Sequence, residues 1–350
     1  MRDKPDVPVN QPCRALSYAE GSTRHVGTKL AEDYFQDRLE PRVRSDRGSV
    51  DHRPGGLRPG GHGSPGEIAA PARHYAALSR FLRRLLLGVA VVIAGGCAYL
   101  AEKQGELIFR PATQDWRGYA QGTWAFEEKW ISVGQNGEKL HAWWLPAADK
   151  NAPALLYLHG ARWNLSGSAP RIERWQKLGF SVLAIDYRGF GKSSPASPTE
   201  QMATEDAAAA WDELAKLAPG RPRVIVGHSL GGAIAVDLAR DRTDVNGLVL
   251  EATFTSIKDM IASTSWSYLP VDLILTQRFD TLSKIASVKA PVLITHGTRD
   301  QIVPFEMGEK LFEATTSPKR FIKVEGGSHH NLSSVAFDQY KAAMKELFSF

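Results

Sequence analysis

The sequence predicts an α/β domain built on an eight-stranded, mostly parallel sheet with a small cap, preceded by one hydrophobic segment and a polar N-terminal stretch. Three observations carry this reading. Short apolar runs recur from residue 154 onward: ALLYLHG, SVLAIDYRG, RVIVGHS, GLVLEAT, PVLITHG and RFIKVEGG. Runs this apolar fit strands covered on both faces, as in a parallel sheet. Helical patterns fill the gaps between them, at 199–217, 230–240, 305–314 and 333–348. Ahead of these, Gln135-Asn136-Gly137 separates EKWISV from EKLHAWWLP, and Asn-Gly between two strand-like runs signals a hairpin.

The elements follow in order. Residues 1–75 are rich in Arg, Gly, Pro, Asp and Ser, with no apolar periodicity long enough to build a core. Disorder, or an extension outside the mature protein, is the expectation there. From Leu85 to Ala101 run 17 residues without a charge, the short end of what a membrane-spanning helix needs. Arg80, Arg83 and Arg84 flank this run on its N-terminal side. By the positive-inside rule a signal anchor at 80–104 then leaves the C-terminal domain, 105–350, on the non-cytoplasmic side. If the mature start lies near residue 75, IAGGC ending at Cys97 instead resembles a lipoprotein cleavage box, with Ala94 in place of the usual larger aliphatic residue.

Charge and cysteine content exclude several functions. The formal charge of +5 resides entirely in residues 1–104, with 16 Lys/Arg against 11 Asp/Glu, while 105–350 hold 27 of each. A folded domain with no net positive charge argues against a nucleic-acid partner. Both cysteines, Cys13 and Cys97, precede the domain, so it has no thiolate nucleophile, internal disulfide or Cys-ligated zinc. No HExxH or similar spacing appears among the ten histidines. GFGKSS is not a phosphate-binding loop, because Asp186 stands where the Walker pattern requires glycine five residues before Gly191.

One Gly-x-Ser-x-Gly occurs, at Gly227, Ser229 and Gly231. A strand-like run enters it and an amphipathic helix leaves it. Such a strand–turn–helix exposes the serine hydroxyl and places backbone N–H groups at a helix N-terminus, where an oxyanion would form. A serine needs a base, and the base needs an orienting carboxylate.

The stretches LHGARWN, AIDYRGFGKSS, VGHSLGG, HGTRDQIVP and VEGGSHHN resemble five successive motifs of the α/β-hydrolase superfamily. Within it they look closest to membrane-anchored esterases and depalmitoylases of the serine-aminopeptidase-like type. The resemblance implies Ser229 as nucleophile, Asp300 as acid and His329 as base, with His330 replacing the family's usual Asn. Glu251 is the rival acid, since some hydrolases use the preceding strand. The N–H groups of Ala161 and Leu230 would form the oxyanion hole. Beside them Arg162 and Trp163 stand where an anionic or flat substrate would pass, the simpler account being a surface arginine and a packing tryptophan. Asp186, Tyr187 and Arg188 are implied to shape a loop. The 40 or so residues between Glu251 and Pro291 leave room for a small cap only, with Phe254, Trp266 and Tyr268 near the pocket or in the core. The expected activity is hydrolysis of a carboxylic ester or thioester, on a lipid-like or acylated substrate, without a cofactor. A peptidase and a non-catalytic tethered binding module are the rivals. Dehalogenase and epoxide-hydrolase chemistry would need Asp in place of Ser229.

Overall fold

The computed structural model describes residues 72–116, 125–268 and 270–349. The polar stretch 1–71, and with it the expectation of disorder, lies outside the described residues.

Helix α1 spans Ala72–Phe109. From Ser79 onward it is long and apolar enough to cross a membrane by length and composition. Phe81, Leu86, Val92 and Tyr99 are all more than half exposed, so nothing among the described residues covers this length of helix. The last turns behave differently. Gln104 is buried; its Nε2 donates to the Ile274 carbonyl and its Oε1 accepts from Thr276 N at 2.7 Å and Gln277 N at 3.2 Å. Gly105 lies so close to the Pro198 carbonyl that a side chain there would collide with backbone. Phe109 is fully buried and packs edge-on against Phe190 and Phe279. The boundary placed at 104/105 from the sequence therefore falls inside one continuous helix, whose end is part of the domain core.

The sheet holds β1 (Glu127–Val133), β2 (Glu138–Leu145), β3 (Ala154–Leu158), β4 (Ser181–Ile185), β5 (Arg223–His228), β6 (Gly247–Glu251), β7 (Val292–Gly297) and β8 (Lys319–Val324). Their order is β1-β2-β4-β3-β5-β6-β7-β8. β1–β2 and β2–β4 pair antiparallel and the rest parallel, as the hairpin and the apolar runs predict. Successive residues of β3 alternate between two cores: Leu156 and Leu158 enter one, Leu155 and Tyr157 the other. The first core is closed by α3 (Glu200–Leu217) and α4 (Leu230–Arg240), through Trp211, Leu214, Ile234 and Leu238. The second is closed by α2 (Leu165–Lys177) and α9 (Phe337–Phe348), through Ile172, Trp175 and Tyr340. A strand buried on both faces cannot alternate apolar and polar, which is why these runs read as continuous.

Local signals place the ends. Thr199 caps α3, its hydroxyl accepting from Met202 N at 3.1 Å. The segment expected as one helix at 333–348 is two, α8 (Leu332–Val335) and α9, because Ala336 leaves helical backbone at φ −109° and ψ 28°. Among the described residues between β6 and β7 lie α5 (Ile257–Ala262), a single 3₁₀ turn at Val271–Leu273 and α6 (Thr281–Ile285), so the cap is small. α7 (Phe305–Ala314) follows β7.

Candidate active site

β3 and β5 are neighbours at the point where strand order reverses, and loops leaving adjacent strands there diverge to form a crevice. Both loops carry predicted site residues. Ser229 directly follows β5 with φ 54° and ψ −121°, a positive-φ conformation that costs a non-glycine residue on the order of 1–3 kcal/mol. The surroundings enforce it. Its N–H donates to the Glu251 carbonyl at 2.9 Å, and its own carbonyl accepts from Gly232 N at 2.9 Å and Thr253 Oγ1 at 2.7 Å. Any side chain at Gly227 would strike the backbone of Gly231, and one at Gly231 would strike the Leu158 carbonyl. Strand and helix meet so closely only because both positions are glycine.

The loop after β3 passes over this serine. A Cβ added at Gly160 would lie 3.0 Å from Ser229 Cβ and 3.2 Å from the His228 carbonyl, so Ala161 stands at the mouth of the elbow. Among the described residues the N–H groups of Ala161 and Leu230 donate to no protein acceptor.

His329 lies in the loop between β8 and α8 and is buried. Its Nδ1 is 2.8 Å from Asp300 Oδ2. Its carbonyl is 2.9 Å from Nε2 of His228, the residue before Ser229, and the two rings are 4.9 Å apart. Burial first, then the charges of Arg171 and His329, hold His228 well below the ordinary histidine range. His228 is therefore a neutral ring whose Nε2–H donates to the His329 carbonyl, tying the histidine loop to the serine elbow. His330 is exposed, and no hydrogen bond joins its ring to Asp300. Partial desolvation, with His329 and Arg171 adding to it, pushes its pKa down to about 4.

Asp300 follows β7. Its Oδ1 accepts from Ile302 N at 2.8 Å and Val303 N at 2.9 Å, and Oδ2 faces His329. Burial works against the charge, but hydrogen bonds from His296, His329 and the Val303 N–H outweigh it, and the carboxyl sits far below its usual range. An ionised Asp300 accepts only, so the proton on the shared contact belongs to His329 Nδ1, which leaves Nε2 free to accept another. His296 was not singled out from the sequence. Its Nε2 is 3.4 Å from Asp300 Oδ2, the same oxygen that faces His329, and 3.1 Å from the Val303 carbonyl. Nothing in HGTRD marks the pair, because the contact depends on the turn at 300–303.

The rival acid Glu251 is buried in another network. Its Oε2 is 3.8 Å from Arg171 Nε, and burial raises its carboxyl above the usual range against the pull of that arginine. No contact joins Glu251 to the His329 ring among the described residues. Asp186 accepts from Leu165 N at 2.8 Å, and Arg188 clamps Asp206 through Nε at 2.6 Å, both contacts that shape loops. Phe254 is buried, whereas Trp266 and Tyr268 are exposed on the cap.

The family model described as serine aminopeptidase, S33, matches residues 149–282. An uncharacterised protein of Mycobacterium tuberculosis (strain CDC 1551 / Oshkosh) is 33% identical over 246 residues, covering 69% of this chain and 86% of that protein. The lysophosphatidylserine lipase ABHD12 of Danio rerio is 33% identical over 196 residues, covering 51% of each chain. Among solved structures, the esterase Pf2001 of Pyrococcus furiosus superposes with a TM-score of 0.54 at 19% identity, covering 68% of this chain and 99% of that one. Fold and sequence together define an α/β hydrolase. The chain belongs to the α/β-hydrolase superfamily.

Proposed function

We propose that the protein is a membrane-anchored serine hydrolase that cleaves a carboxylic ester or thioester through an acyl-enzyme. The observation that carries this is the 2.8 Å contact between His329 Nδ1 and Asp300 Oδ2, on a loop that His228 ties to the strained Ser229. In this reading His329 Nε2 takes the Ser229 hydroxyl proton as Oγ bonds to the acyl carbon. The carbonyl electron pair moves onto oxygen, where the N–H groups of Ala161 and Leu230 stabilise it. Collapse expels the leaving group, which receives the proton from Nε2. Water repeats the sequence and releases the acid. Asp300 fixes the imidazole tautomer and stabilises the imidazolium that forms twice per cycle.

A lipid-like or acylated substrate is supported by the exposed apolar length of α1 and by the likeness to a lysophosphatidylserine lipase. Arg80, Arg83 and Arg84 before the apolar run support a hydrolase domain on the non-cytoplasmic side. The family description favours one second reading, an aminopeptidase. Such an enzyme needs an acidic group for the substrate amine, whereas the exposed residue next to Ala161 is Arg162. Assaying the purified protein on p-nitrophenyl butyrate and on aminoacyl p-nitroanilides separates the two. Ester turnover is expected, and turnover confined to the anilides would replace it with the peptidase reading.

A further inference from the structure

We propose, on the reading of Ser229 as nucleophile, that Arg110 and Arg162 form a subsite for an anionic oxyacid group, a phosphate or carboxylate carried by the head of the ester substrate. Backbone geometry brings the two together. Arg162 N–H donates to the Phe109 carbonyl at 2.8 Å, so the residue that ends α1 is stitched to the loop after β3, and Arg110 follows it directly. Fully buried Phe109 pins that junction. Both arginines adopt left-handed backbone, at φ 50° and 65°, and Trp163 continues at 59°. Three such residues at one junction concentrate strain in the way ligand-binding loops do, since none of the three is a type that tolerates the conformation.

Among the described residues the two charges have no carboxylate partner. Arg171, Arg188, Arg223, Arg240, Arg242 and Arg320 each have one within ion-pair distance, whereas Arg174, Arg221, Arg278 and Arg299, like Arg110 and Arg162, have none. Arg110 and Arg162 are exposed. Partial burial, then the Arg110 charge, draws the Arg162 guanidinium below its ordinary value, and the Arg162 charge reaches His330. Two like charges at adjoining backbone positions repel, and an anion between them converts that repulsion into attraction. Arginine's planar fork suits phosphate and carboxylate oxygens.

The position selects what the anion is attached to. Arg162 follows Ala161, so a group held there lies one residue from a proposed oxyanion donor. The residues that follow the two arginines in the chain, Pro111 to Trp116 and Trp163, line an open groove of about 690 Å³. Asp115 is the acid in its wall and pairs with neither arginine.

The test compares two esters of one acyl chain, a 1-acylglycerol 3-phosphate and the matching neutral monoacylglycerol, on the full-length protein and its Arg110→Gln, Arg162→Gln and Arg162→Lys variants. The ratio of kcat/KM for the anionic over the neutral ester is expected to fall about tenfold or more for each glutamine, the size of one lost charge-assisted contact, and to do so through KM. Arg162→Lys is expected to recover part of it. A ratio within twofold of wild type in both glutamine variants overturns the subsite, including when both esters slow together. Binding is read apart from turnover by tryptophan-fluorescence titration of Ser229→Ala with dodecyl phosphate, glycerol phosphate and dodecyl maltoside. Arginine-dependent binding of dodecyl phosphate alone assigns a lipid head group, and equal binding of glycerol phosphate assigns a soluble ester. Binding of neither anion, or binding that survives both glutamine substitutions, overturns the proposal. Loss of the Ser229 reading would show separately, as wild-type protein that a fluorophosphonate fails to label.

Discussion

Two adjacent histidines with different surroundings set the sharpest test at the residue scale. His329 shares a hydrogen bond with Asp300, while the His330 ring stands outside that pair. His329→Ala is expected to lower kcat on a p-nitrophenyl ester by at least ~10³-fold, and His330→Ala by less than tenfold. Equal residual activity in the two variants would contradict the assignment. With a pKa near 4, His330 is neutral across the assay range, so its loss should leave the acid limb of the pH profile in place. Asp300 gives a stability prediction with a definite sign. Its folded carboxyl lies below the unfolded value of about 3.9, so the stability it contributes is complete above that pH and is lost as pH falls through the folded value. The melting-temperature gap between wild type and Asp300→Asn should hold steady from about pH 7 to 5 and close below about 4. A gap that closes instead near neutral pH would mean that another group titrates.

That Ser229, Asp300 and His329 each follow an apolar strand was legible in the sequence, because the strands they follow read as continuous apolar runs. Gly227 and Gly231 are required by backbone contacts that leave no space for a side chain. His296 was not legible as a partner of Asp300. Its role depends on the turn at 300–303, which brings Val303 and the carboxylate to the same ring. Arg110 was likewise silent, since nothing in its local sequence tells of the Arg162 N–H that reaches the neighbouring Phe109 carbonyl.

At the scale of elements, strands and helices were largely predictable, because double burial makes strands continuously apolar and caps such as Thr199 mark helix starts. What failed was the end of α1. An apolar run read by composition stops where charges begin, at Glu102 and Lys103, yet the helix continues to Phe109 because Gln104 and Phe109 find partners in the domain. Gln104→Ala removes hydrogen bonds to Ile274, Thr276 and Gln277 at once. Buried groups left unsatisfied cost on the order of 1–3 kcal/mol each, so the cap segment 274–277 should open more readily. Hydrogen exchange at Thr276 and Gln277 is expected to quicken relative to the central strands in this variant. Unchanged protection there would show that the clamp does not hold the cap. Gly231→Val is expected to give no folded protein, since the new side chain would occupy the space of the Leu158 carbonyl.

For the whole molecule, an apolar helix that nothing among the described residues covers joins the α/β-hydrolase domain through a packed junction. This arrangement predicts that the full-length chain sediments with membranes and resists carbonate extraction. Reporter fusions after residue 110 should report the non-cytoplasmic side, and cytoplasmic reporting would reverse the orientation derived from Arg80, Arg83 and Arg84. Because the last turns of α1 belong to the core, deletions that stop near residue 100 should leave a labelable domain, and deletions that remove Gln104 to Phe109 should not. The fold and its membership of the superfamily are thus joined to a chemistry that rests on one side chain. Labelling by a fluorophosphonate probe, followed by peptide mapping of wild type and Ser229→Ala, tests it most directly. The account predicts a single covalent adduct on Ser229 in the wild type, with neither adduct nor ester hydrolysis in the variant. Labelling or turnover that persists in Ser229→Ala would contradict it.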